Sequence, residues 1–258
     1  MPLFYREFGE PSASFPSLIF FHGFLGSGLD WQMTVEALSI NHHCVLIDLP
    51  AHGQSVGCLV TDFSQMRAVL CDWLVRFSRP FILIGYSLGG RIAMDLTAQS
   101  TLLNQKALIV EGGHFGLKNL DDRSTRALND ANWAARFGSE PMARVLIDWY
   151  RQGVFSSVSR DIKSEWITRR ANNDGNALSK MLIATSLSQQ DYLLPLLTEK
   201  VETLPMLYLC GEHDAKFRAL ADQSPFQMGV IAKAGHNAHA EQPLAVSKCI
   251  ASFVKQVG

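Results

Sequence analysis

The stretch Phe81-Ile-Leu-Ile-Gly-Tyr-Ser-Leu-Gly-Gly-Arg91 decides how this chain is read. Phe81 to Ile84 is apolar throughout and too short for a helix, the pattern of a central parallel strand covered on both faces. A helix is expected over Arg91 to Gln99, so the five residues Gly85-Tyr-Ser-Leu-Gly89 must turn sharply from strand to helix. Gly-x-Ser-x-Gly in that strand–turn–helix setting is a nucleophile elbow. The turn draws the backbone of Ser87 against neighbouring segments, and small residues two before and two after it avoid the clash. The hydroxyl then projects from the sheet edge at a helix N-terminus.

Working outward, runs of the same form recur at Leu18 to Phe21, Val45 to Ile47, Lys106 to Val110, Met206 to Cys210 and Val230 to Lys233. Helical stretches are expected over Phe63 to Phe77 and from Pro243 through Val246, Ile250, Phe253 and Val254, whose apolar positions repeat at helical spacing. The alternation predicts an α/β fold, a mostly parallel central sheet flanked by helices. It breaks over residues 118–180, a polar stretch with helical periodicity around Met142 to Tyr150. That segment reads as a helical cap inserted after the sixth-type strand, dividing the core into residues 1–117 and 181–258. The insertion carries eleven Lys and Arg against eight Asp and Glu, whereas the rest of the chain carries twelve against sixteen.

The 258 residues are 47% hydrophobic and 18% charged, enough to bury a sizeable core, and the net charge of −1 gives no field to collect nucleic acid or anionic lipid. Five scattered cysteines without a Cys-x-x-Cys pair indicate neither a disulfide framework nor a zinc site. The first fifteen residues carry Arg6, Glu7 and Glu10 where a signal peptide needs an apolar stretch, and no apolar run reaches the roughly 18 residues of a membrane span. A cytoplasmic protein is expected, a monomer or a small homo-oligomer. No metal-ligand spacing and no Gly-rich phosphate loop is present, so catalysis without metal or cofactor is expected.

A serine hydroxyl needs a histidine to become nucleophilic or basic at neutral pH, and the histidine needs an acid to fix its tautomer. The expected chain order is Ser, acid, His. Met206 to Cys210 leads into Gly211-Glu-His-Asp214, and Val230 to Lys233 leads into Ala234-Gly-His236, which makes Asp214 and His236 the partners of Ser87. Glu111, at the end of the strand from Lys106, is a competing acid, and His239 a competing base. Leu18 to Phe21 runs into His22-Gly23-Phe24, a turn able to aim the backbone N–H of Phe24 at a substrate oxygen beside that of Leu88, as an oxyanion hole. His22 is read as bracing this turn through hydrogen bonds.

These motifs, with Asp48-Leu-Pro-Ala-His-Gly-Gln-Ser55, resemble the α/β-hydrolase family over essentially the whole chain. Ala51 departs from it, standing where the family usually has Gly. Gly85 to Arg91, Val110 to Leu117, Arg123-x-x-Arg126, Asp148-Trp-Tyr150, Arg170-x-Asn-Asn173, Lys216-Phe-Arg218 and Gly235 to His239 resemble more closely a branch of lyases that expel pyruvate from a small tricarboxylate. The resemblance implies that Arg91, Arg126 and Arg170 pair with the three carboxylates and that Tyr86 and Trp149 wall the pocket. The same triad would equally serve a carboxylesterase, a thioesterase or a carbon–carbon bond hydrolase through an acyl-serine. A non-catalytic receptor for a small anion is a third reading, against which an intact triad stands.

Overall fold

In the computed structural model, which describes residues 3–12 and 14–257, the apolar runs lie side by side in a seven-stranded sheet of order β1-β3-β2-β4-β5-β6-β7. The strands are β1 (Tyr5–Phe8), β2 (Ser17–Phe21), β3 (Cys44–Ile47), β4 (Phe81–Tyr86), β5 (Gln105–Glu111), β6 (Met206–Gly211) and β7 (Gln227–Ile231). β1 runs antiparallel to β3, and the remaining pairings are parallel. The described helices are α1 (Gln32–Leu38), α2 (Phe63–Leu74), α3 (Leu88–Gln99), α4 (Leu120–Ser139), α5 (Met142–Trp149), α6 (Arg160–Arg170), α7 (Gly175–Ala184), α8 (Leu194–Lys200), α9 (Ala215–Ala221), α10 (Ala238–Glu241) and α11 (Pro243–Val257).

Successive side chains of a strand point to opposite faces, so a central strand feeds two cores. In β2, Ile19 and Phe21 enter the core beneath α2, α3, α8 and α9, while Leu18 and Phe20 enter the one beneath α1 and α11. All four are fully buried, and each such side chain contributes roughly 1.5–3 kcal/mol relative to exposure. Helices α4 to α7, between β5 and β6, build a third apolar core from Phe137, Leu146, Tyr150, Trp166, Leu178 and Leu182 together with Leu25 from the loop after β2.

The departures from expectation lie at edges. β1 has no apolar run because an edge strand with alternating half-exposed residues needs none. β7 begins and ends earlier than Val230 to Lys233: it is another edge, with Met228 and Val230 exposed, and Lys233 at φ +58° cannot continue a strand. α2 stops at Leu74, where Val75 turns to solvent, and α3 starts at Leu88, directly after the elbow. The insertion follows the fifth strand in chain order. A boundary at residue 180 falls inside α7, whose Leu178 and Leu182 face the third core on either side of it.

Candidate active site

β4 ends at Tyr86, and Ser87 takes φ +50° and ψ −107° before α3 begins. Two close approaches make glycine necessary around it. A Cβ on Gly85 would lie 2.3 Å from the carbonyl oxygen of Gly89, and one on Gly89 would lie 2.4 Å from that of Phe21. The Ser87 N–H donates to the carbonyl of Glu111 at the end of β5, 2.8 Å away. Leu88 opens α3, so its N–H is one of those with no acceptor within the helix.

The loops after β6 and β7 bring Asp214 and His236 to the same edge. His236 Nδ1 lies 2.8 Å from Asp214 Oδ2 and its Nε2 lies 3.4 Å from Ser87 Oγ. The carboxylate can only accept, so Nδ1 carries the proton and Nε2 faces Ser87 with a free lone pair. The Ser–His contact is loose, as such contacts are before substrate tightens them. Phe217, whose N–H donates to the other oxygen of Asp214, lays its ring against the imidazole with centroids 4.4 Å apart. Glu111 is not the acid of this trio. It pairs with His239 instead, Oε1 to Nδ1 2.9 Å, in a second buried carboxylate–imidazole contact.

The turn carrying Phe24 is braced as expected and by more than His22. His22 Nδ1 donates to the Gly23 carbonyl at 2.7 Å while its Nε2 accepts from the Leu49 N–H at 3.0 Å. His52, within the Asp48–Ser55 motif, repeats the device: Nδ1 donates to Pro50 and Nε2 accepts from Leu25. Both rings accept on Nε2, so both are neutral. Burial pushes His22 below the ordinary imidazole value and His52 down to about 3.

Ser87 and Leu88 open into a cavity of about 90 Å³ whose other lining residues are Phe24, Arg91, Arg126, Trp149, Leu182 and Thr185. Arg91 is 8% exposed and makes no ion pair among the described residues. Its Nε donates to Gln190 Oε1 at 2.5 Å and its Nη2 to the Thr185 carbonyl at 2.6 Å. Asp95, four residues on, is bound to Arg67 at 2.9 Å. Burial and the neighbouring Arg126 push the Arg91 guanidinium down to about 9. Arg126 is held through Nε by both oxygens of Asp130, each at 2.8 Å. His114 is pushed down to about 4 by burial and by Lys216, Arg91 and Arg126, so four basic groups share this end of the sheet.

Two residues lie elsewhere than the resemblance implied. Arg170 does not line the cavity: its Nη2 meets Asp30 at 2.6 Å, its Nη1 donates to the Tyr150 hydroxyl, and it links α6 to the loop before α1. A fixed counter-charge already occupies it. Tyr86 does not line the cavity either: its ring is buried against Gly23, His236 and His239, next to the elbow. Trp149 is at the cavity, packed on Phe24, Trp133 and Phe137. Gln190, Thr185 and Leu182 carry no sequence signal, because a neutral side chain or a carbonyl becomes a site component only through the fold.

A model of the Alpha/beta hydrolase family matches residues 18–248. The chain is 42% identical over 248 residues to 2-succinyl-6-hydroxy-2,4-cyclohexadiene-1-carboxylate synthase of Escherichia coli O7:K1, covering 96% of each protein. A second E. coli protein of that name, from strain SMS-3-5, is 41% identical over the same share. Among solved structures, MenH from S. aureus superposes with a TM-score of 0.89 at 26% identity, over 98% of both chains. An esterase from Thermogutta terrifontis superposes at 0.80 over 99% and 93%, but at 19% identity it speaks for the fold alone.

Proposed function

The chain belongs to the α/β-hydrolase family, and from that premise we propose that it is a lyase of menaquinone biosynthesis. It eliminates pyruvate from 2-succinyl-5-enolpyruvyl-6-hydroxy-3-cyclohexene-1-carboxylate to give 2-succinyl-6-hydroxy-2,4-cyclohexadiene-1-carboxylate. The observation that carries this reading beyond the fold is Arg91, a buried guanidinium beside Ser87 without a carboxylate partner among the described residues. Such a group is poorly compensated until an anion arrives. A neutral ester would leave it so, whereas a substrate with three carboxylates would not.

The chemistry follows from the geometry. Asp214 holds Nδ1–H of His236, Nε2 takes the proton of Ser87, and the Ser87 oxygen removes the ring proton next to the succinyl ketone. The electron pair moves through the ring alkene and breaks the bond to the enolpyruvyl oxygen. The proton left on His236 goes to the departing enolpyruvate, which becomes pyruvate, and the enzyme is restored. Charge developing on the ketone oxygen meets the amides of Phe24 and Leu88, the second at the N-terminus of α3, donors already in place before reaction. Arg91 and Arg126 bind substrate carboxylates, and Phe24 and Trp149 form the apolar wall. No acyl-enzyme is required. Residues 118–180 act as a cap, since Arg126 and Trp149 both come from that insertion.

The test follows pyruvate release from substrate generated in situ by its upstream synthase, with the spontaneous rate as control. Ser87→Ala and His236→Ala are each expected to lose on the order of 10² to 10⁴ in rate. Wild-type release no faster than the control would reject the lyase and leave a hydrolase. Near-wild-type release by Ser87→Ala would reject Ser87 as the base.

A further inference from the structure

We propose that Glu111 and His239 form a tether that aligns His236 with Ser87, a positioning pair that never touches substrate. The proposal rests on the triad reading above. β4 and β5 are adjacent parallel strands whose last paired residues are Tyr86 and Glu111. The main-chain carbonyl of Glu111 accepts the Ser87 N–H at 2.8 Å. Its carboxylate reaches the other way, where Oε1 accepts the backbone N–H of His239 at 3.2 Å and lies 2.9 Å from His239 Nδ1. His239 follows His236 by three residues, in the short helix α10. One residue therefore grips both sides of the 3.4 Å Ser–His contact, the nucleophile through its carbonyl and the base's loop through its side chain.

The surroundings fix the pair in one orientation. The His239 ring stacks on Trp31 with centroids 4.0 Å apart and 21° between planes, and Tyr86 meets its edge at 4.7 Å. Tyr86 in turn packs on His236 at 5.3 Å, so the tether, the elbow and the base form one continuous contact. Glu111 Oε2 and His239 Nε2 are buried without a partner. An apolar pair of the same volume would fill this space without stranding two polar atoms. What the polar pair adds is direction: both bonds converge on one oxygen and hold the loop in a single register.

A double variant, Glu111→Leu with His239→Phe, separates alignment from stability, because it keeps the volume and the stacking on Trp31 while removing both the imidazole bond and the backbone bond to Oε1. Because it strands the buried N–H of residue 239, it is expected to melt within a few degrees below wild type, to keep KM within about twofold, and to lose at least about tenfold in kcat, since misplacement by about 1 Å can cost about 10²-fold. Phosphonylation of Ser87 by a fluorophosphonate, which reads the Ser–His alignment without substrate, is expected to slow in parallel. Glu111→Gln keeps an oxygen at the Oε1 position and is expected to restore kcat to within about threefold of wild type. Wild-type kcat and labelling in the folded double variant would overturn the tether, as would a tenfold loss in Glu111→Gln. If the double variant does not fold, His239→Phe alone carries the test: it retains the backbone bond, and an unchanged kcat at an unchanged melting temperature overturns the proposal. Ser87→Ala measured alongside tells the two failures apart, because turnover by that variant sinks the triad itself and not its alignment.

Discussion

Arg91 and Arg170 are equally buried, at 8% and 6% exposure, yet they stand in opposite electrostatic situations. Arg170 meets Asp30, which also binds Arg169 at 2.7 Å. Burial alone would raise the Asp30 carboxyl, but the two arginines reverse this and hold it below its usual range. Arg170 itself is driven the other way, because Asp30 and Tyr150 outweigh its desolvation. Arg91 has a side-chain amide and a carbonyl, its neighbouring acid is spoken for by Arg67, and its guanidinium is pushed down. Exposure therefore does not distinguish a ligand from a strut. The location of the counter-charge does: of two arginines that resemblance placed in one role, one has a fixed carboxylate partner and the other has none among the described residues.

The sharpest way to break this contrast is to remove each guanidinium in turn. Arg170→Met leaves the buried Asp30 carboxylate with Arg169 as its remaining ion-pair partner, so the loss should approach, without exceeding, the cost of a buried charge left unpaired, about 3–5 kcal/mol. Urea unfolding should show that loss, and adding Asp30→Leu should recover most of it. If Arg170→Met instead raised KM at undiminished stability, Arg170 would be a substrate ligand and the contrast would fail. Arg91→Met is expected to do the reverse. It removes a charged hydrogen-bonding group worth about 1.5–3 kcal/mol to an anion, so kcat/KM should fall by about 10- to 100-fold. Its melting temperature should hold or rise, because an under-compensated buried charge has been replaced by an apolar side chain. A stability loss as large as that of Arg170→Met would show that Arg91 is structural too.

The same contrast explains how much could be read from sequence. The sheet was legible because β2 to β6 are apolar on both faces and end in loops whose residue types are dictated by chemistry, so Ser87, Asp214 and His236 could be picked out before their 2.8 and 3.4 Å contacts were known. β1 was not, and β7 was read late in the chain, because an edge strand leaves no continuous apolar run to fix its bounds. The partner of Arg170 was not legible, because a basic residue in a basic insertion looks the same whether it faces a ligand or Asp30, which lies 140 positions away in sequence. Beside Asp214 and His236, Glu111 and His239 were visible only as rivals. Their pairing depends on β4 and β5 being neighbours, a fact of topology and not of local pattern.

Acid should expose the frame side of the contrast. His22 and His52 sit near Arg170, which opposes protonation of both, and their buried neutral rings hold the turn that carries Phe24. The unfolded chain binds a proton at His52 below about pH 6.5, whereas the folded chain resists it down to about 3, so stability must rise with pH across that window and fall as pH drops through it. For His52 alone, about 2 kcal/mol should disappear between pH 7 and 5. Melting curves at constant ionic strength should show the slope, and His52→Asn should flatten it. An unchanged slope in that variant would mean that His52 titrates normally and that its bonds to Leu25 and Pro50 are not those of a fixed neutral ring.

The smallest effect is expected one residue earlier. Ala51 occupies the left-handed region at φ +64°, with its N–H bonded to the Cys58 carbonyl at 2.8 Å and its methyl 3% exposed in the core beneath α2 and α3. A Cβ in that conformation costs about 1–2 kcal/mol, which Gly would relieve. Against this, Gly gives up a buried methyl worth about 0.8 kcal/mol and adds about 0.4–1 kcal/mol of unfolded-state entropy. These contributions nearly cancel, so Ala51→Gly should change stability by no more than about 0.5 kcal/mol and leave kcat untouched. Ala51→Val, whose branched Cβ fits the left-handed region far worse, should cost well over 1 kcal/mol. A gain above 1 kcal/mol in the glycine variant would show that the methyl contributes nothing to the core. The departure of Ala51 from the family pattern would then be unrelieved backbone strain, carried in the turn after β3.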